Sequence, residues 1–454
     1  MHIYAVYVGK GSDVVIFLKT VSDIGAGVIL PLFILFSGIY LTKYLGGFYL
    51  LHPIQTLRLM LSRKGAGKTS PFRALSVSLA GTLGVGNIVG VAVAIVLGGA
   101  GALFWMWISA FFSMILKYAE IVLGMRYKLH ESSENAGGPM FYMRDGMGGR
   151  LGKILSVIFS ALGLFSAFSM GNMVQMNAAS SAMASAFSVP PWFFGVISAV
   201  CTAFLLFGGF RGISRVTSVL VPVLSAVYLL MSVRVIFLEW ERIPSLLLMI
   251  VEDAFSMTSA SGGVIGFFLT GAIRQGVTKG SFSHEAGCGT APMAHTGADT
   301  KIPAKQGVLG LFEVFFDTIL LCTLTGLVIL LASDGELVTD NGMHLVIYSF
   351  ARYYGKYAAY FISISIVMFA FATVICWGYY GKVCLAYLSC SKKLGTYYDL
   401  TYSAVIVLAA MMTESAVWEL SDITVALMTA TNLIAVFWLR KDVKEETKLV
   451  FGQK

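Results

Sequence analysis

Gly84, Val85, Gly86 and Asn87 stand at the midpoint of a stretch that is otherwise apolar from Ala74 to Leu97. With Gly81 close by, the middle of this stretch is poor helix material, since each interior glycine costs about 1 kcal/mol relative to alanine. The whole is still long enough to cross a bilayer, for which about 20 apolar residues suffice. A membrane helix that breaks halfway offers backbone N–H groups at the start of its second half and carbonyls at the end of its first. The N–H groups and the positive dipole end suit a carboxylate, and the carbonyls suit an ammonium or a metal cation. Gly84, Val85, Gly86 and Asn87 are therefore candidate carboxylate contacts. Gly90, Gly98, Gly99 and Gly101 read differently, as small residues that let helices approach closely.

A second run, Ser245 to Ile273, repeats the pattern. Its break is expected between Ser256 and Gly263. Ser259, Ser261, Gly262 and Gly263 are candidates for the ammonium and ion side of a zwitterion site. Gln175 lies in an apolar stretch, where it either binds a ligand or hydrogen-bonds a neighbouring helix. Trp377 lies well inside another apolar span, away from the interfacial aromatic belt. An indole over a ligand's side-chain position leaves room for a hydrogen or a methyl group and little more.

Other reactive residues point away from catalysis. Lys117 and Glu120 are three apart on one helix face and are expected to pair, and Glu313 and Asp317 are four apart. Both pairs fall near expected cytoplasmic span ends, where a structural or gating role is favoured. His284, Cys288 and His295 lack a fourth ligand, so no transition metal is expected. Gly84 to Gly90 mimics a dinucleotide loop but has no strand before it. No nucleophile–base constellation suggests an enzyme, and no filter-like repeat suggests a channel.

The elements that must hold these residues are membrane spans. The chain has 454 residues, 57% hydrophobic and 12% charged. Soluble domains carry roughly 25% charged residues. Hydropathy and length place eleven spans, at about 24–43, 74–97, 101–125, 154–184, 192–210, 216–238, 245–271, 308–332, 357–381, 396–413 and 420–439. The start of the chain lacks the form of a cleaved signal peptide. Six cysteines, Cys201, Cys288, Cys322, Cys376, Cys384 and Cys390, have no paired spacing and read as packing residues. The net charge of +8 is segregated rather than patched for nucleic acid: alternate connections carry 25 of the 32 Lys and Arg residues. The positive-inside rule then puts the N-terminus outside and the C-terminus in the cytoplasm of a multi-pass plasma-membrane protein.

With the first span peripheral, the other ten divide into two sets of five, each opening on a broken helix. An odd number per set makes the two enter from opposite sides, an inverted repeat. The expected organisation is residues 1–73 as the N-terminal segment with its peripheral helix, 74–240 and 241–439 as the two repeats, and 440–454 as a cytoplasmic tail. The fold class is all-α and polytopic.

Several ordered motifs give the chain a family resemblance. They are the segment Gly81–Ala92, Gly101–Trp107, Lys117–Glu120, Gly137–Tyr142, Gly171–Asn177, Phe282–Gly307, Glu313–Thr318, Phe369–Lys382 and Trp418–Asp422. Together they resemble the alanine or glycine:cation symporters, also called sodium:alanine symporters, and cover nearly the whole chain after about residue 70. The resemblance implies the leucine-transporter fold and uptake of alanine or glycine coupled to sodium by alternating access, with no cofactor. Proton coupling, or a larger amide such as glutamine, is the alternative. It also implies that Phe282–Gly307 is a long cytoplasmic motif, and that Thr373, with carbonyls near Ala80 and Leu83, ligates sodium. On the residues alone, Thr373 serves equally well by bonding back to its own helix. The chain departs from the family pattern at Ala100, His284 and Ile302, and at Val85 and Ala372, where members more often carry a hydroxyl.

Overall fold

The computed structural model describes residues 25–60, 71–128, 137–207, 209–256, 271–300, 302–333, 338–389 and 391–452. Among them every regular element is helical. The first long helix is α1 (Leu30–Tyr44). Proline at its first position opens α2 (Pro71–Thr82), where a missing N–H costs nothing. The chain then leaves the helix at the glycines. Gly84 is extended, Val85–Asn87 form one 3₁₀ turn, and α3 (Val89–Gly98) resumes the span. Gly99, at φ +75°, turns the chain into α4 (Gly101–Arg126).

The remaining helices are α5 (Gly149–Phe187), α6 (Pro191–Phe207), α7 (Gly209–Leu238), α8 (Ile243–Ala254), α9 (Gly271–His284), α10 (Ala291–His295), α11 (Pro303–Ser333), α12 (Gly342–Tyr354), α13 (Tyr357–Leu388), α14 (Lys392–Ala409), α15 (Glu414–Trp438) and α16 (Arg440–Phe451). Seven helices among the described residues are long and apolar enough to cross a membrane, α1 with the turn before it from Gly27, α4, α5, α11, α13 and α15 whole, and α7 over Arg215–Leu238. The protein is a multi-pass membrane protein. Two long helices carry a π-helical turn, Ser169–Val174 in α5 and Phe315–Cys322 in α11. Such turns recur at functional sites.

The main departure from the sequence reading concerns the seventh span. Residues 257–270 lie outside the described residues, and so do Ser259, Ser261, Gly262 and Gly263. The described interruption falls further along, at residues 285–290 between α9 and α10. There Glu285, Gly287 and Gly289 adopt left-handed backbone at φ +54°, +92° and +81°. The Phe282–Gly307 motif is therefore no exposed connection over its first half: Phe282 to His295 are buried. Hydropathy misses α9 because its small and polar residues face protein rather than lipid. Gly276 and Gly280 let it lie against α4, where an added Cβ would stand 2.3 Å from the Ala102 carbonyl oxygen and 3.0 Å from Ser109 Oγ. Lys279, read as cytoplasmic, is buried and paired with Asp422 of α15 at 2.9 Å, with its ammonium 4.3 Å from the centre of the Trp418 ring.

The C-terminal α16 closes one end of the bundle. Arg126 of α4 pairs with Glu445 at 3.0 Å and Glu446 at 3.4 Å, and Tyr118 shares a hydrogen bond with Thr447.

Candidate binding site at the broken helices

The break between α2 and α3 gathers residues from three elements. The Val85 N–H donates to Gln175 Oε1 at 3.0 Å, and Thr373 Oγ1 donates to the Ala80 carbonyl at 3.1 Å. Gly84 is the hinge between these contacts. A Cβ there would lie 2.6 Å from both Gln175 Oε1 and Thr373 Oγ1, so only glycine admits the two side chains together. The π turn of α5 frees the Met170 carbonyl, which accepts from the Gln175 amide at 3.3 Å. Ala80, Leu83, Gly84, Val85, Gln175 and Thr373 are all buried. A small cavity beside them is lined by Leu83, Gly84, Asn87, Ile88, Tyr228, Leu321 and Phe369.

This arrangement has the chemistry of a zwitterion and cation site. The Val85 N–H is a backbone donor held by a side chain that a carboxylate can displace. Ala80 presents a carbonyl and Thr373 a hydroxyl, both hard oxygen ligands suited to a small cation.

The other expected contacts make further bonds and packing contacts. The Asn87 amide donates to Asp317 Oδ1 at 2.7 Å and to the Asp317 carbonyl at 3.1 Å. Gly86 faces α9, where a Cβ would come 3.0 Å from the Phe282 ring and 3.3 Å from Ser283 Cα. Trp377 is wholly buried one helical turn beyond Thr373, and its indole N–H donates to Glu285 Oε1 at 2.9 Å. Its Cβ sits where Gly171 leaves space: a Cβ on that glycine would be 2.2 Å away.

Lys117 and Glu120 do not pair with each other. The Lys117 ammonium reaches Glu313 Oε2 at 3.1 Å and the His284 carbonyl at 2.8 Å. Glu120 accepts instead from Asn432 at 2.8 Å and from the Gly289 N–H at 3.3 Å. Glu313 also accepts from Ser78 at 3.0 Å and from His295 Nε2 at 2.5 Å, while Gln306 holds His295 Nδ1 at 2.7 Å. All four ionisable side chains of the two expected pairs are 0% exposed. They are interior residues, because α4 and α11 pack on each other and on the unwound segment rather than opening to water.

Sequence reasoning passed over Glu285, whose carboxylate joins Trp377 to Thr290 Oγ1 at 2.6 Å. The signal was present: Glu285-Ala-Gly-Cys-Gly-Thr290 repeats the alternating glycines of the first break.

The sodium:alanine symporter family model matches residues 12–454. The chain belongs to the sodium:alanine symporter family. It is 37% identical over 446 residues to the sodium/alanine symporter AgcS of Methanococcus maripaludis, covering 96% of this chain and 97% of that one. It is 35% identical over 429 residues to the probable sodium/glutamine symporter GlnT of Bacillus subtilis, covering 94% and 88%. Among solved structures, MhsT in complex with L-phenylalanine superposes with a TM-score of 0.54 at 12% identity, over 86% of this chain and 99% of that one. That likeness shows a leucine-transporter-like fold. The family and these relatives are transporters, not enzymes, and the chain is an amino-acid:cation symporter by membership.

Proposed function

We propose that this symporter imports a small neutral amino acid, alanine or glycine, coupled to sodium by alternating access. One observation carries the reading: Gly84, Val85, Gln175 and Thr373 converge on the α2–α3 break. The carboxylate takes the N–H groups of the break, with Val85 released by Gln175. Sodium takes the Ala80 and Leu83 carbonyls and the Thr373 hydroxyl. Gly262 and Gly263 remain proposals for the ammonium side, and Trp377 for the side-chain wall.

The proposed architecture is eleven spans, a peripheral helix followed by two inverted repeats of five, at residues 74–240 and 241–439. The second repeat's break is assigned to residues 285–290, where a glycine-rich segment leaves the helix as at the first break, here through left-handed residues. The N-terminus is placed outside and the C-terminus in the cytoplasm of the plasma membrane. Removing Lys279 from the cytoplasmic side leaves the charge bias that supports this orientation.

Purified protein in proteoliposomes tests the reading. Labelled alanine should accumulate under an inward sodium gradient and not in choline medium at constant pH. Equal uptake in choline overturns sodium coupling and favours protons. Preference for glutamine over alanine in competition moves the substrate toward that of GlnT.

A further inference from the structure

Aromatic residues and cations mark the boundary between bilayer and water at one end of the bundle. Tyr44 ends α1 and the exposed Trp438 ends α15, places where interfacial aromatics are enriched. Arg440 and Lys444 of α16 stand over the Tyr44 ring, 5.7 and 4.9 Å from its centre. Gly46 and Gly47, at φ +69° and +57°, turn the chain out of α1 at this level. A short helix, Pro53–Met60, follows. Its Thr56 is buried, its Gln55 amide donates to the Val450 carbonyl of α16 at 3.0 Å, and the helix lies against α11. The side away from these contacts is apolar: Leu51, Ile54 and Leu57 are 69%, 75% and 56% exposed. A surface groove of about 390 Å³ opens here, lined by Leu51, His52, Pro53, Ile54, Gln55 and Arg58. Among the described residues, no carboxylate lies within ion-pair distance of Lys43, Arg58, Arg440 or Lys444. The acids of α16 turn instead to Arg126.

We propose that this face is a lipid site. The helix Pro53–Met60 lies in the bilayer surface, with its apolar side among acyl chains and its groove on the phosphate of an anionic phospholipid. A helix with one apolar and one polar side binds a membrane in this way, its apolar face about 5–10 Å into the headgroup boundary. Arg58 reaches the phosphate with its guanidinium while its stem stays on the apolar side. Lys43, Arg440 and Lys444 add positive charge at the same level, which attracts anionic headgroups. The occupant is lipid because the Tyr44–Trp438 belt sets the patch at headgroup height, and anionic lipid because the patch is cationic. By the orientation proposed above, this is the cytoplasmic leaflet. Since the helix also touches α11 and α16, a bound headgroup fastens this end of the bundle together.

A lipid titration and a depth measurement on the full-length protein test it, and neither reads transport, so both are independent of the symport reading. In detergent, added phosphatidylglycerol should raise the melting temperature and phosphatidylcholine should not. Arg58→Gln and Lys444→Gln should each raise the phosphatidylglycerol concentration that gives half the shift by about fivefold, the worth of one basic residue at an anionic surface. A nitroxide on Ile54→Cys, with Cys201→Ser and Cys390→Ser removing competing thiols, reports depth in vesicles of the two lipids mixed. It should be reached by oxygen and shielded from a water-soluble nickel chelate. Equal melting shifts with the two lipids overturn the headgroup contact, as do half-shift concentrations unmoved in both variants. A label open to nickel overturns the immersion of the helix. Spin–spin broadening that fades on dilution with unlabelled protein overturns it as well, by placing a second copy of the chain on this face.

Discussion

The Trp377 indole N–H donates to Glu285 Oε1 at 2.9 Å, tying the middle of α13 to the unwound segment between α9 and α10. Glu285 holds left-handed backbone at φ +54°, which a non-glycine residue adopts only when its surroundings enforce it. Trp377 and Thr290 supply that enforcement through the two carboxylate oxygens.

The tie to Glu285 and the proposed place of Trp377 in the substrate wall are separable. Trp377→Phe keeps most of the ring and removes the donor. An acceptor left unsatisfied in the interior costs about 1–3 kcal/mol, so the melting temperature should fall. Trp377→Ala also empties the wall against Gly171, and its competition profile should shift toward larger amino acids while alanine weakens. Melting curves in detergent and competition among alanine, serine, leucine and glutamine check the two. An unchanged profile in folded Trp377→Ala removes Trp377 from the substrate site.

Lys117 and Glu313 form a buried pair whose halves are not independent. Removing one partner of such a pair costs about 3–5 kcal/mol, because the other charge stays buried. Lys117→Met should lower thermal stability sharply, and Lys117→Met with Glu313→Gln should recover part of the loss. Additive losses in this double-mutant cycle would contradict the coupling.

The first break was legible because its glycines interrupt an apolar run, and Gln175 because such an amide is rare in one, whereas Thr373 was reached only through the family resemblance. Their convergence on Gly84 needed coordinates. The interruption at residues 285–290 was not anticipated, because α9 before it is short and carries Arg274, Gln275, Lys279 and His284. Polarity of that kind reads as a water-exposed loop, whereas here α9 lies against α3 and α4 inside the bundle. The partner of Asn87 was illegible for another reason. Asp317 lies 230 residues away, and helix-face spacing had grouped it with Glu313. The π turn of Phe315–Cys322 changes that spacing, so Glu313 meets Lys117 and His295 while Asp317 meets Asn87 and Ser283.

Thr373 supplies the most direct test of the proposed sodium position. Thr373→Val keeps the shape and removes the hydroxyl, and Thr373→Ser keeps the hydroxyl. Half-maximal sodium for alanine uptake should rise by about tenfold in the first, equal to 1.4 kcal/mol, and little in the second. Equal behaviour of the two variants would mean that Thr373 serves only its bond to the Ala80 carbonyl.

Gly84 and Gly90 lie six residues apart on the same broken span, yet their surroundings differ. At Gly84 a methyl group would collide with Gln175 Oε1 and Thr373 Oγ1, each 2.6 Å away. At Gly90 the nearest atom is in the Trp418 ring at 3.6 Å, ordinary van der Waals contact, so the glycine is not required there for close packing. Gly84→Ala should push both polar side chains off the break and abolish alanine binding. Gly90→Ala should keep binding and gain stability, since alanine in a helix is favoured over glycine by about 1 kcal/mol. Binding per folded molecule, paired with melting temperature, separates the outcomes. Normal alanine binding by Gly84→Ala would show that the carboxylate and the ion meet elsewhere than at this break.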